Sequence, residues 1–292
     1  MFYSCPYSEV GTMLCVTFDN FGCAADYGHG QGRMPPQMRE ATIPESEWEN
    51  YNLLSLTLGQ PRILKALERL RIPTTFYTEG FAAVIHPIEV KRWADAGHEI
   101  ALHGWKHEIW QSIASKEKEE RLIGLGMAAM TELLGNAAPV GFRPPGFKIN
   151  PWTEEILERH GIKYISVVDK RDQGFADRFP DLGIKYPDAG ADVPIKHLKR
   201  QPVSDYQTDA YLIDRRYGGL LGKADADTGY EIAYQLGAEH ERSKPNEPWV
   251  FVAHPLISGN RAWHAFEKFL DRLHAEFGSS AFRTARSVLL GN

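Results

Sequence analysis

With 292 residues, of which 43% are hydrophobic, the chain is long enough to bury a full core. Its formal net charge of −5 and its scattered lysines and arginines exclude the basic surface expected of a protein that binds nucleic acid or an anionic membrane. No stretch approaches the roughly 18 apolar residues of a membrane span, and the N-terminus lacks a basic segment followed by an apolar run. We therefore expect a cytoplasmic protein, and we leave homo-oligomeric assembly open.

Six short apolar runs each lead into a polar or charged residue, which is the pattern of buried strands with a functional end. In chain order they are Met13–Phe18 before Asp19, Thr74–Tyr77 before Glu79, Glu99–Leu102 before His103, Pro139–Phe142 before Arg143, Lys163–Val168 before Asp169, and Pro248–Ala253 before His254.

Segments with helical periodicity separate these strands. They are Pro61–Arg71, Pro87–Ala96, Ser115–Leu134, Trp152–His160, Tyr230–Arg242 and Arg261–Phe277. Regular alternation of strand and helix predicts an α/β fold with a parallel sheet. Polar side chains at successive strand ends are typical of a barrel of βα units whose C-terminal rim carries the active site.

Two long segments interrupt this alternation, at about residues 22–55 and 173–229. Both are rich in Gly, Pro and charged residues, and we expect binding loops beside the site, the second with irregular strands. The sequence has no internal repeat or interdomain linker. We therefore expect one catalytic domain over residues 1–292.

His103 and His107 are separated by three residues directly after a predicted strand, so both imidazoles can coordinate one metal ion. The spacing alone is weak evidence for a metal site, because in a chain with 11 histidines such a pair can arise by coincidence. The neighbouring polar strand ends strengthen it, since a catalytic metal site usually has three protein ligands and an open position for water.

Five short motifs then resemble, in order and spacing, those of the polysaccharide deacetylases, the carbohydrate esterase family 4 with its NodB homology domain. They are Thr17–Asn20, His103–His107, Gly141–Gly146, Asp169–Asp172 and Val252–His254. The resemblance implies a distorted barrel of seven or eight βα units.

The resemblance also implies a role for each matching residue. His103 and His107 would bind a divalent metal, with Zn²⁺ as the default and Co²⁺, Ni²⁺ or Mn²⁺ suited to the same ligands. Asp19 would be the general base, His254 the general acid, and Arg143 would hold Asp19 in position. These roles supply what amide hydrolysis needs: an activated water, stabilisation of the oxyanion, and a proton for the leaving nitrogen.

Asn20 departs from the family, which usually has a second aspartate at this position. Its amide oxygen is the expected third metal ligand, although a neutral ligand should hold the metal less tightly than a carboxylate. If Asn20 does not bind, Asp19 would turn to the metal and Glu79 would be the first alternative base.

A weaker set of candidates would contact the substrate or support the catalytic side chains: Glu79, Trp105, Pro144, Asp169, Asp172 and Asp209. Trp105 lies between the two proposed ligands and is expected to pack. Gln173 stands where the family tends to have Trp, which leaves the contacts of Asp169 and Asp172 open. Asp209 lies in a segment for which a solvated loop is the commoner setting.

Three functions stay open. The first is a metal-dependent hydrolase that removes acetyl from an N-acetylated amino sugar or related carbohydrate, with a small-molecule or oligosaccharide substrate. The second is a hydrolase of a small linear or cyclic amide or imide, because His254–Arg261 and Gly97–Gly104 look more like the branch that contains allantoinase-like enzymes and intracellular peptidoglycan-deacetylase-like proteins. The third is a non-catalytic binding protein of the same fold, which the presence of Asp19, Arg143 and His254 together disfavours.

Overall fold

The computed structural model describes residues 12–20, 58–108, 110–168, 193–203, 208–213, 225–244 and 246–291. The strands are β1 (Leu14–Asn20), β2 (Thr75–Thr78), β3 (Glu99–Leu102), β4 (Gly141–Phe142), β5 (Tyr164–Val168), β6 (Lys199–Val203) and β7 (Trp249–Ala253). The helices are α1 (Gln60–Leu70), α2 (Ala82–Ile85), α3 (Pro87–Asp95), α4 (Lys116–Leu134), α5 (Thr153–Arg159), α6 (Asp209–Leu212), α7 (Ala226–Ser243), α8 (Trp263–Phe277) and α9 (Ala285–Leu290).

The strands form one parallel sheet in the order β6-β5-β4-β3-β2-β1-β7. The chain after β6 reaches β7 through a parallel bridge between Thr208 and Val252, so the two edges of the sheet approach each other. The predicted α/β fold, a distorted barrel of βα units, is confirmed.

Alternate residues of each strand point into the barrel interior, and several of them are polar. Tyr77 on β2 donates from its hydroxyl to Oε1 of Gln201 on β6 at 2.7 Å, and Arg143 after β4 donates to Thr17 on β1 at 3.0 Å. Neither pair lies on neighbouring strands, so both bonds cross the interior. The opposite strand faces, including Val16 and Phe18, pack into the large core beneath the helices.

The six strands predicted from the sequence are present, and their ends agree within two residues. The helices agree similarly, except that α7 begins at Ala226 and not at Tyr230. The side chain of Asp225 accepts a hydrogen bond from the backbone N–H of Thr228, so this N-cap starts the helix four residues before the apolar pattern does.

The prediction of loops and irregular strands over residues 173–229 is wrong in part, because β6, α6 and the start of α7 lie within it. β6 has the sequence Lys-Arg-Gln-Pro-Val, and its inward-facing Gln201 is fully buried against Tyr77. A strand that faces a polar interior lacks the apolar run by which strands are recognised. Only residues 193–203, 208–213 and 225–229 of this segment are among the described residues, and the whole predicted loop 22–55 lies outside them.

The C-terminal segment contacts the end of the barrel at which the strands begin, opposite the C-terminal rim. The backbone N–H of Ala285 donates to Oγ1 of Thr75 at 2.8 Å, and that of Arg286 donates to Oε2 of Glu99 at 2.9 Å. Tyr164 donates to Oε1 of Glu99 at 2.9 Å. The C-terminal segment therefore covers the starts of β2 and β3.

Within the described part of the chain, no helix combines the length and apolar character that crossing a lipid bilayer requires.

Candidate active site

Four buried side chains meet at the C-terminal rim: Asp19 from β1, His103 after β3, Arg143 after β4 and His254 after β7. One oxygen of Asp19, Oδ2, lies 3.8 Å from Nε2 of His103 and 4.0 Å from Nε2 of His254. The other oxygen, Oδ1, accepts a hydrogen bond from Nη1 of Arg143 at 2.6 Å. The carboxylate is thus fixed on one side and faces both imidazoles on the other.

Arg143 is held as firmly as the carboxylate that it binds. Its Nη1 also donates to Thr17 Oγ1, its Nε donates to Ser166 Oγ, both at 3.0 Å, and its guanidinium carbon lies 3.7 Å from the centre of the Tyr77 ring. Burial alone would raise the pKa of Asp19, but the charge of Arg143, together with His103 and His254, outweighs burial and lowers it below the ordinary 3.8. Asp19 is therefore an ionised carboxylate at neutral pH.

His103 has a defined orientation. Its Nδ1 lies 2.7 Å from the backbone carbonyl oxygen of Arg143, which can only accept, so Nδ1 carries the proton and Nε2 the lone pair. Burial lowers the pKa of His103, although Asp19 opposes this. A neutral imidazole with its Nε2 lone pair turned inward is the form that ligates metals.

His107 lies beside His103, with ring centroids 5.1 Å apart. Its backbone has a φ of 54°, in the left-handed region that residues other than glycine seldom adopt. Burial, and then the neighbouring His103, lowers its pKa. Strained backbone at a candidate ligand indicates that the surrounding loop forces this position.

Glu108 organises that loop, and sequence reasoning missed it. Its buried carboxylate accepts hydrogen bonds from the backbone N–H of Trp105 at 3.0 Å and of Lys106 at 3.0 and 3.1 Å. Gly104, at a φ of +75°, makes the turn that this arrangement needs. An acidic residue directly after His107 was the available signal.

Trp105 packs between loops, as expected. Its ring lies edge-on to Phe81 with centroids 5.4 Å apart, and its backbone carbonyl accepts from the N–H of Phe81 at 3.0 Å. The strand-end loops after β2 and β3 are thereby joined.

His254 is paired with Asp209, and the expectation of a solvated loop around Asp209 is wrong because this side chain is fully buried. Asp209 Oδ1 accepts from Nδ1 of His254 at 2.5 Å, and Oδ2 accepts from the backbone N–H of His254 at 2.8 Å. Burial alone would lower the pKa of His254, but Asp209 and, more weakly, Asp19 outweigh it and raise this pKa above 6.5. The pairing favours a positively charged imidazole.

The remaining predicted residues have different positions. Glu79 is fully buried directly after β2. Pro144 is buried beside Arg143, and its carbonyl accepts from the N–H of Phe147 at 2.9 Å, which closes a turn after β4. Asn20 is the last residue of β1, but its side chain, like Asp169 and Asp172 entirely, lies outside the described part of the structure.

The donor chemistry fits a divalent metal between His103 and His107. Both imidazoles favour the neutral form, and the tautomer of His103 is set by a carbonyl in the way common to metal-binding histidines. Among the described residues, no group of three or more His, Cys, Asp or Glu side chains is arranged to hold a metal.

A family model described as "Polysaccharide deacetylase" matches residues 56–165, which include His103, His107 and Arg143. The predicted resemblance to the polysaccharide deacetylases is confirmed. A peptidoglycan deacetylase of Helicobacter pylori is 33% identical to this chain over 107 residues, which are 37% of this chain and 36% of that protein. The chain thus spans about a third of the length of the curated polysaccharide deacetylases it matches.

Solved structures share the fold over nearly the whole chain. A candidate polysaccharide deacetylase from Mycobacterium smegmatis superposes with a TM-score of 0.68 at 22% identity, covering 94% of this chain and 87% of that one. An allantoinase superposes with the same TM-score at 18% identity, covering 92% and 86%. At these identities the likeness to polysaccharide deacetylases and to the allantoinase concerns the fold.

Proposed function

We propose that this protein is a metal-dependent hydrolase of carbon–nitrogen amide bonds that deacetylates an N-acetylated amino sugar or a related carbohydrate. The observation that carries the proposal is the position of Asp19. One of its oxygens is locked by Arg143, and the other lies about equally far from a candidate metal ligand, His103, and a candidate acid, His254. This order of groups suits a reaction that needs a base, a positive centre and an acid around one bond.

The metal would be held by His103, His107 and Asn20. When bound there, a divalent ion such as Zn²⁺ supplies Lewis acidity for the amide carbonyl and lowers the pKa of a bound water. Co²⁺, Ni²⁺ and Mn²⁺ suit the same ligands.

Asp19 is the proposed general base. Because Arg143 occupies Oδ1, Oδ2 is the oxygen that faces the reacting centre and accepts a proton from the attacking water. A lowered pKa keeps Asp19 ionised over the range in which the reaction would run, at the cost of making it a weaker base. A divalent metal held by His103 and His107 would offset that weakness, because it would make the attacking water more acidic.

His254 is the proposed general acid. Asp209 favours its imidazolium form, and Nε2 points towards Asp19 while Nδ1 points towards Asp209. The proton on Nε2 would pass to the nitrogen of the departing amine, which is otherwise a very poor leaving group. Base and acid then act on opposite ends of the cleaved amide.

The substrate class is supported by the curated relatives. Those matched at 33–35% identity include proteins named peptidoglycan deacetylase, peptidoglycan deacetylase-like protein and chitin deacetylase. We propose the acetyl amide of an amino sugar on that basis, with the domain extending over residues 1–292.

The test is a product assay on purified protein, with and without added Zn²⁺ or Co²⁺, on N-acetylated amino-sugar oligomers and on small cyclic amides including allantoin. Metal-stimulated release of acetate supports the proposal. Ring opening without acetate release would replace it with the small-amide hydrolase. No turnover on either class, with metal bound, would favour a binding protein.

A further inference from the structure

Behind His254, on the side away from Asp19, two hydroxyl groups continue the hydrogen bonds of Asp209. Ser258 donates from Oγ to Oδ2 of Asp209 at 2.5 Å, and the Tyr230 hydroxyl lies 2.6 Å from Ser258 Oγ. Both side chains are buried, with Ser258 at 0% and Tyr230 at 2% exposure. The Asp209 carboxylate of α6 is therefore bonded to the turn after β7 and, through Ser258, linked to α7.

The direction of these bonds follows from the available protons. The two carboxyl oxygens of Asp209 accept from the backbone N–H of His254, from Nδ1–H of His254 and from the Ser258 hydroxyl. Ser258 has a single hydroxyl proton, and Ser258 uses it to donate a hydrogen bond to Asp209. Tyr230 must therefore donate to Ser258, so the donors point one way, from Tyr230 through Ser258 to Asp209.

The backbone supports the same arrangement. The N–H of Ser258 donates to the carbonyl of His254 at 2.8 Å, so the turn brings Ser258 back to the residue directly after β7. The Tyr230 ring packs against Phe251, Phe266 and Phe269, with centroids 5.4–6.2 Å apart, which fixes the position of its hydroxyl.

We propose that Ser258 and Tyr230 are positioning residues that hold the Asp209 carboxylate against Nδ1 of His254, so that Nε2 is the nitrogen presented to the reacting bond. Tyr230 acts only through Ser258. The proposal rests on the proposed function in one respect, the role of His254 as the acid, but the position of the proton on its ring can be measured without turnover.

The experiment compares Ser258→Ala, Tyr230→Phe and the double variant, with Tyr234→Phe as the matched control. Tyr234 lies one turn further along α7, and its hydroxyl bonds Glu276 at the surface. The readout is the ¹⁵N NMR signature of the neutral His254 ring in histidine-labelled protein, assigned with His254→Asn. We expect a single Nδ1–H form in the wild type, a substantial Nε2–H population in Ser258→Ala, and a smaller one in Tyr230→Phe.

The double variant should match Ser258→Ala alone, because a residue that acts only through Ser258 has no effect once Ser258 is gone. In the deacetylase assay, kcat should fall about tenfold in Ser258→Ala with KM unchanged, in line with losses at residues that orient catalytic groups. Tyr234→Phe should match the wild type in both measurements.

Two results would overturn the proposal: an unchanged ring signature in a folded Ser258→Ala, or effects of the single variants that simply add. Should Ser258→Ala unfold, Tyr230→Phe decides alone, since it keeps the packed ring and loses only the hydroxyl. If the protein hydrolyses no amide, the proposed function fails while the ring signature still decides the positioning role.

Discussion

Arg143 reaches across the barrel interior from the end of β4 and binds Asp19 of β1 with an Nη1–Oδ1 distance of 2.6 Å. Two strands, β2 and β3, separate the partners in the sheet, so the bond depends on closure of the sheet around a polar interior. The guanidinium is fully buried and Asp19 nearly so. The pair therefore belongs both to the stability of the fold and to the proposed reaction.

Replacing Arg143 by Met should destabilise the protein by about 3–5 kcal/mol, because it leaves the Asp19 carboxylate buried without its partner. Denaturant unfolding measures the loss. The double variant Asp19→Asn/Arg143→Met should recover part of it, since neither charge is then buried. A double variant no more stable than Arg143→Met would show that the loss does not come from the stranded carboxylate.

The two proposed ligands should be separable from the other histidines. His103→Ala and His107→Ala should abolish bound metal, whereas His160→Ala should keep it, because His160 bonds Glu120 outside the barrel. Elemental analysis of the purified variants measures the difference. Full metal content in His103→Ala would place the metal elsewhere.

The pH profile should report the pairing of Asp209 with His254. A general acid must be protonated, so activity falls as pH rises through its pKa, and Asp209 raises that pKa. Asp209→Asn should therefore move the basic limb of the kcat/KM profile to lower pH. Movement to higher pH would contradict the assignment of the acid.

Glu241 should make the folded state less stable as pH rises from about 4.5 to about 7. Glu241 lies on α7, and its side chain is 4% exposed. It accepts a hydrogen bond from the backbone N–H of Met13, just before β1, and burial raises its pKa from 4.5 to about 7. Folding then favours the protonated carboxyl, so its contribution is full below the unfolded pKa and is lost as pH passes the folded one. Glu241→Gln should flatten the dependence of unfolding free energy on pH in this window. An unchanged slope would show that other groups cause this pH dependence.

Gly141 should tolerate no side chain. A Cβ there would lie 2.0 Å from Cζ of Tyr164, whose ring fills the adjacent barrel interior. Gly141→Ala should cost about 1–3 kcal/mol or more through overpacking. Gly124→Ala is the matched control: it lies within α4, where a Cβ would meet nothing closer than 3.4 Å, and it should leave stability equal or about 1 kcal/mol higher. Similar losses in both variants would rule out the close contact as the cause.

The sequence predicts the barrel well where strands have one apolar face towards the helices, as in β1, with Val16 and Phe18 in the core. It predicts β6 poorly, because Gln201 faces a polar interior that no periodicity indicates. His103 and His107 are close in sequence and could be paired from spacing. Asp209 and His254 are 45 residues apart, and only the fold brings them together.

The most direct measurement on the central claim is metal content and acetate release measured side by side in the wild type and Asp19→Asn. Because Asp19 is held by Arg143 and assigned as the base, the variant should bind metal as the wild type does and release no acetate. Loss of metal in Asp19→Asn would make Asp19 a ligand, and full turnover would show that the base lies elsewhere.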